Sequence, residues 1–222
     1  MMESIPSLSA FDEKYEADRL KNLAAQEAAD ARRREVEALE SLRRRFARAS
    51  IPARHSIRQV EGVPEWMAAL ETIRSKLGTG FLIALLGIRG AGKTQLAVEA
   101  IRGQLEAGRE GRYVKAMDLF IRFREAFRKD GPKENDVLEE FTRPDILVID
   151  AMEERGETQF EDRMIAHLID LRYDAMLDTL LISNQTKDAF SKAIGNSAVS
   201  RINETGATVE CNWESFRKRA AA

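Results

Sequence analysis

The chain has 222 residues, 44% of them apolar, 32% charged, and a net charge of −2, which suits one substantial domain plus an extension and excludes a protein coated in basic charge. Cys211 is the single cysteine, so no intrachain disulfide can form and a reducing compartment, the cytoplasm, is expected. No apolar run reaches membrane-spanning length, the N-terminus lacks the pattern of a signal peptide, and the two histidines, His55 and His167, stand at no zinc-ligand spacing.

Residues 12–48 contain no Gly or Pro, are rich in Ala, and cluster acidic with basic side chains. That composition predicts a helix. Val36, Leu39, Leu42 and Phe46 share one face, with a weaker upstream stripe at Leu20 and Leu23. A helix of this kind cannot build a core alone. It is expected to be an arm, residues 1–50, whose narrow apolar stripe meets another protein, the alternative being a solvated extension.

Ile51 and Pro52 break that helix, Gly62 and Pro64 interrupt again, and the ARHSIRQV between them is short and mixed. Residues 65–77 then read as an amphipathic helix, with Trp66, Leu70, Ile73 and Leu77 on one face and Gly78 as its stop. From Phe81 onward strands and helices alternate. The expected strands are FLIALLG, RYVKAM, DILVID, TLLISN and ATVEC. Helices are expected over 94–107, 118–129, 161–175 and 188–194, and a loop over DGPKEND. Such alternation builds a mostly parallel sheet covered on both faces, so residues 51–222 are expected to form one α/β domain.

The most informative segment is FLIALLGIRGAGKT. A buried-strand pattern ends at Gly87, and Gly92, Lys93 and Thr94 complete G-x-x-x-x-G-K-[ST] in its strand–loop–helix setting. Glycines at 87, 90 and 92 allow a tight turn whose N–H groups face phosphate oxygens, and the following helix adds its dipole. Gly87, Ile88, Arg89, Gly90, Ala91, Gly92, Lys93, Thr94 and Gln95 are therefore the expected nucleotide cradle. Lys93 is expected to reach the outer phosphates, and the Thr94 hydroxyl to ligate Mg²⁺. DILVID ends in Asp150, placed to hold Mg²⁺ through water opposite Thr94. TLLISN ends near Asn184, whose amide can sit between the two phosphate-binding edges and orient an attacking water.

The order LLGIRGAGKT, ILVID, LLISN, VSRI and ECNWESFR resembles the helicase-loader ATPases of the DnaC type and their IstB-type transposition-helper relatives. These are AAA+ P-loop proteins (ASCE class) that lack the usual C-terminal helical lid. The resemblance spans about residues 51–219, and its distinctive parts are the ending Asn212-Trp213-Glu214-Ser215-Phe216-Arg217 and the pair Arg172 and Tyr173. It implies a sensor role for Asn184. It also implies that Arg201 is an arginine finger completing a neighbouring subunit's ATP site, so that the protein self-associates through adjacent AAA+ domains.

The resemblance further implies that the strand and helix over 113–129 line single-stranded DNA. Lys115, Arg122, Arg124, Arg128 and Lys129 are the candidate phosphate contacts, and Phe120, Phe123 and Phe127, at helical spacing, are expected in the core. The implied partner of the arm is a hexameric replicative helicase, and the implied activity is ATP-dependent helicase loading in DNA replication. A transposition helper ATPase is the alternative, and a P-loop small-molecule kinase the weaker one, since no arginine-rich lid follows Asp150.

One departure matters. The family usually has Glu directly after the Asp at 150, and here Ala151 stands there. Alanine cannot polarise water. Either ATP hydrolysis is weak, or a neighbouring acid such as Glu153 or Glu154 substitutes, or the alanine is an engineered change that traps bound ATP.

Overall fold

The computed structural model describes residues 8–56, 63–156 and 158–216. The chain divides into two compact units, residues 1–44 and 45–222. Helix α1, Leu8–Arg48, matches the expected uninterrupted run. Val36 and Leu39 on it are about half exposed, and Leu42 is partly covered.

The second unit begins with the end of that helix. Arg45 donates from Nη1 to the Leu105 carbonyl at 2.8 Å, and the Ala49 carbonyl accepts from Tyr113 N at 2.8 Å. Phe46 was expected to belong to the partner-binding stripe. Instead its ring lies 5.5 Å beneath the Arg102 guanidinium, so it is engaged by the unit itself. Part of the mixed segment folds as a short helix, α2, Ala53–Ser56. Residues 57–60, Gly62 and Arg217 lie outside the described residues.

Helix α3, Pro64–Arg74, starts where proline suits the first turn, and it buries Trp66, Ala69, Leu70 and Ile73. Five strands follow: β1 Leu82–Gly87, β2 Gly111–Lys115, β3 Ile146–Asp150, β4 Asp178–Ile182 and β5 Ala207–Cys211. They form one sheet in the order β2-β3-β4-β1-β5, every pair parallel. The continuous apolar runs of β1, β3 and β4 are explained by burial on both faces. Helices α4 Lys93–Glu106, α5 Ala116–Ala126, α6 Glu134–Thr142, α7 Gln159–Asp174, α8 Lys187–Ile194 and α9 Asn196–Thr205 cover it.

Two departures from the expected elements have clear causes. Helix α6 starts inside the expected loop DGPKEND. Acidic Glu134 and Asp136 occupy its first turn, where the helix dipole favours them. Val137 and Phe141, four apart, are buried, and the Phe141 ring meets Phe123 at 5.7 Å. Helix α5 ends at Ala126, so Phe127 falls at its C-cap rather than on its buried stripe. Phe120 and Phe123 are core as expected, whereas Phe127 is 60% exposed, edge-on to Phe160 at 5.7 Å.

Arg172 of the distinctive Arg-Tyr pair is a buried clamp. Its guanidinium donates to the Phe141, Pro144 and Asp178 carbonyls and to Thr179 Oγ1, and burial lowers its pKa to about 9. Asp178 in turn accepts from Gly78 N, Gly80 N and Phe81 N, fixing the turn that feeds β1. Arg172 and Asp178 thus secure the base of the strands whose far ends carry the site.

Candidate nucleotide-binding site

Parallel strands deliver their C-terminal ends to one edge, and ligands of such sheets sit in the crevice outside it. The sheet order puts β4 between β3 and β1, which brings Asn184 between Asp150 and the loop after Gly87. The crevice is a cavity of about 310 Å³ lined by His55, Arg89, Gly90, Gly92, Lys93, Thr94, Gln95, Asp150, Glu154, Ile182, Asn184 and Phe216.

Gly87, Gly90 and Gly92 all have positive φ, at 124°, 87° and 79°. A Cβ at Gly87 would lie 2.6 Å from the Cys211 carbonyl oxygen, so glycine is required there by conformation and by space. Lys93 is only 5% exposed. Its Nζ donates to the Gly87 and Ile88 carbonyls at 2.8 Å each and to Asn184 Oδ1 at 2.9 Å. All three of these acceptors are uncharged oxygens, and together they fix the ammonium at the loop.

Thr94 Oγ1 donates to Asp150 Oδ2 at 2.9 Å, and the Tyr113 hydroxyl donates to the same oxygen at 2.5 Å. The other carboxylate oxygen accepts from Ala151 N at 2.7 Å. Burial, and then the Asp150 charge, raise the Tyr113 pKa, so the phenol stays a donor. Hydroxyl and carboxylate oxygens juxtaposed in this way are the hard donors that Mg²⁺ takes alongside phosphate oxygens and water.

After Asp150 the chain turns sharply. Ala151 adopts the left-handed conformation, φ 57° and ψ 46°, and Met152–Glu154 form one 3₁₀ turn anchored by buried Met152. This turn separates the two acids. Glu153 accepts from Ser183 Oγ and Asn184 N at 3.1 Å each, and from Asn184 Nδ2, so it orients the amide whose oxygen holds Lys93. Glu154 is exposed and faces the cavity. Arg201 forms an ion pair with Asp170 at 2.9 Å, donates to Ser197 Oγ, and lies 5.0 Å over the Tyr173 ring. Cys211 is buried with its pKa pushed up to about 12 by desolvation, which leaves it a protonated, unreactive thiol.

The expected DNA face is less uniform. Arg122 Nε donates to both Glu140 oxygens at 3.1 Å and its Nη1 to Glu125 at 3.0 Å, and these bonds raise its pKa. Arg124 pairs with Glu161. Neither is the open cation that the sequence suggested. Lys115, Arg128 and Lys129 are exposed.

Several residues of the site escaped the sequence reading: His55 and Phe216 in the cavity, Tyr113 on Asp150, and Trp66 and Trp213 behind the loop. His55 Nδ1 meets Gln95 Oε1 at 3.2 Å. Only the NWESF segment carried a signal, as a family mark without a role.

An all-parallel sheet with a glycine loop around a buried lysine, a hydroxyl–carboxylate pair and a central amide defines an AAA+ P-loop protein. The sequence matches the family described as IstB-like ATP binding protein over residues 7–222, and the chain belongs to that family. It is 26% identical to the replicative helicase loader DnaC of Escherichia coli (strain K12) over 134 residues, 60% of this chain and 55% of the loader. The match thus spans about half the length of that relative. A crystal structure of the DnaC helicase loader has the same fold, with TM-score 0.60, 22% identity, and coverage of 68% of this chain and 93% of that one. So does the replication initiator DnaA bound to AMPPCP and single-stranded DNA, with TM-score 0.61, 20% identity, and 74% and 52% covered. Among the described residues no helix is long and apolar enough to cross a membrane.

Proposed function

We propose that the protein is an ATP-dependent loader of a replicative helicase, holding ATP–Mg²⁺ in the cavity at the sheet edge. The observation that carries the nucleotide part of this reading is the Lys93–Asn184–Glu153 chain beside the Thr94–Asp150 pair, a lysine fixed at the loop next to a hard-oxygen pair, and the family match supports the loader part. The backbone N–H groups of the loop and Lys93 would bind the outer phosphates, and Thr94 with Asp150 would hold Mg²⁺, which supplies charge neutralisation between the phosphate groups. Arg201, now paired with Asp170, would exchange that partner for a neighbour's phosphates on self-association.

Hydrolysis without a glutamate at 151 falls to Glu154. The Glu153 oxygens are engaged by three donors, whereas Glu154 opens into the cavity, where it can take a proton from water. Lys115 at one end of α5, and Arg128 and Lys129 with exposed Phe127 at the other, suit a single strand, whose phosphates need cations and whose bases need a flat ring. The half-exposed Val36 and Leu39, with Leu42, are the proposed helicase contact.

The test is pull-down of a replicative helicase by the full chain carrying Leu39→Asp and Leu42→Asp. Helicase capture should disappear while ATP affinity and melting temperature hold. Loss of folding instead would mean the stripe packs on its own protein, and retained capture would remove the arm from the reading. The family match also favours a second reading, the transposition helper. It predicts capture of a transposase and preference for duplex over single-stranded DNA.

A further inference from the structure

The segment after β5 carries the NWESF sequence, of which the nucleotide reading uses only Phe216, in the lining of the cavity. Its contacts are with the outer side of the phosphate loop. Trp213 Nε1 donates to the Ala91 carbonyl at 2.8 Å, and Phe216 N donates to the Gly90 carbonyl at 3.0 Å. From the opposite end of the unit's sequence, Trp66 Nε1 on α3 donates to the Gly92 carbonyl at 3.2 Å, which also takes the first helical bond of α4 from Leu96 N. Three consecutive loop carbonyls are thus held by two side-chain N–H groups and one backbone N–H. The indoles are the chain's only two tryptophans.

A trans peptide points its C=O and the next N–H in opposite directions. Holding the carbonyls of Gly90, Ala91 and Gly92 outward therefore fixes the N–H groups of Ala91, Gly92 and Lys93 toward the cavity side. Glycine-rich loops do not hold such an arrangement by themselves, because each glycine has many alternatives of similar energy. The clamp also leaves no room to vary: a Cβ on Gly92 would sit 2.9 Å from Trp66 Nε1 and 3.1 Å from the Phe216 ring. Lys93 secures the earlier carbonyls, Gly87 and Ile88, from inside.

We infer that Trp66 and Trp213 are positioning residues for the phosphate loop, and that the 212–216 segment is a strap that orders the anion-binding N–H groups before ATP arrives. The inference rests on the nucleotide reading of the cavity and adds a consequence to it. Because coupling is reciprocal, a nucleotide that favours the ordered loop must tighten the strap in return. The order of the strap therefore reports occupancy of the site.

Two measurements on the full-length protein test this. In calorimetric titration with ATP–Mg²⁺, Trp213→Phe keeps a ring but deletes the donor, and should weaken binding by about fivefold, as expected for one neutral hydrogen bond. Trp66→Phe should act similarly, and the pair should lose more than either, with melting temperatures little changed. In hydrogen exchange of the unmodified protein, the peptide spanning 212–216 should exchange more slowly when ATP–Mg²⁺ is saturating, and Trp213→Phe should abolish that slowing. Unchanged affinity in both variants, or a strap whose exchange ignores nucleotide, overturns the inference and leaves the site reading standing. A parent chain that binds no ATP overturns both.

Discussion

The protein presents cations in two places, and their partners differ. In the phosphate loop, Lys93 is ligated by two carbonyls and an amide oxygen. On α5, Arg122 is ligated by the carboxylates of Glu140 and Glu125, and Arg124 by that of Glu161. Carbonyl and amide oxygens hold a buried ammonium in place. Carboxylates spend the charge locally, and a phosphate must then displace them. A count of basic residues treats both places alike; the acceptors show that Arg122 and Arg124 already hold carboxylates, while Lys93 is fixed to loop and amide oxygens.

The sharpest way to break this comparison is to remove the loop lysine. Lys93→Ala deletes the charge-assisted bonds a lysine would make to the outer phosphates. At roughly 2 kcal/mol for each of two such bonds, ATP–Mg²⁺ affinity should fall on the order of a thousandfold. A fluorescent-nucleotide titration reads the change directly. Affinity within a few-fold of the parent would mean that Lys93 serves only to tie Gly87, Ile88 and Asn184 together.

Next in size is the effect of the carboxylate that is not engaged in this way. Glu154→Gln should reduce ATP turnover by about a hundredfold, the lower range for loss of a general base, with ATP affinity preserved. Placing Ala151→Glu in that background should restore part of the rate. Glu153→Gln should behave differently: it loosens Asn184 and so should raise the KM for ATP as well as lowering kcat. If Glu154→Gln turns over at the parental rate, the base lies elsewhere.

These two predictions differ in how far the sequence alone supports them. The loop, Asp150 and Asn184 were legible because each stands at a fixed offset from the end of an apolar strand, and strand order then brings them together. The division of labour between Glu153 and Glu154 was not. It depends on the left-handed turn at Ala151, a conformation that costs a non-glycine residue about 1–2 kcal/mol and that nothing in AMEE announces. Phe127 was misjudged because helical spacing assumes the helix continues, and α5 stops one residue earlier. Helix α6 was hidden by turn-forming residues at its start, although Val137 and Phe141 already carried its buried face. Glu125, three residues after Arg122 on α5, could be read locally, but Glu140 and Glu161 come from α6 and α7, and pairing across separate elements leaves no trace in local sequence.

The smallest expected effect separates the cations of the second region from one another. Lys115, Arg128 and Lys129 are exposed, and on the proposed reading each can release a counterion from a single strand without first leaving an acid. Arg128→Glu should therefore weaken single-stranded DNA binding several-fold and flatten the dependence of log affinity on log salt by about 0.7 for each phosphate that is no longer neutralised. Arg122→Gln should change the slope little, because its charge is already matched by Glu140 and Glu125. Glu140→Gln is the more telling variant. It frees Arg122 from its nearest acid and should tighten single-strand binding modestly while steepening the salt slope. Equal losses from Arg122→Gln and Arg128→Glu would show that the carboxylates step aside when DNA arrives.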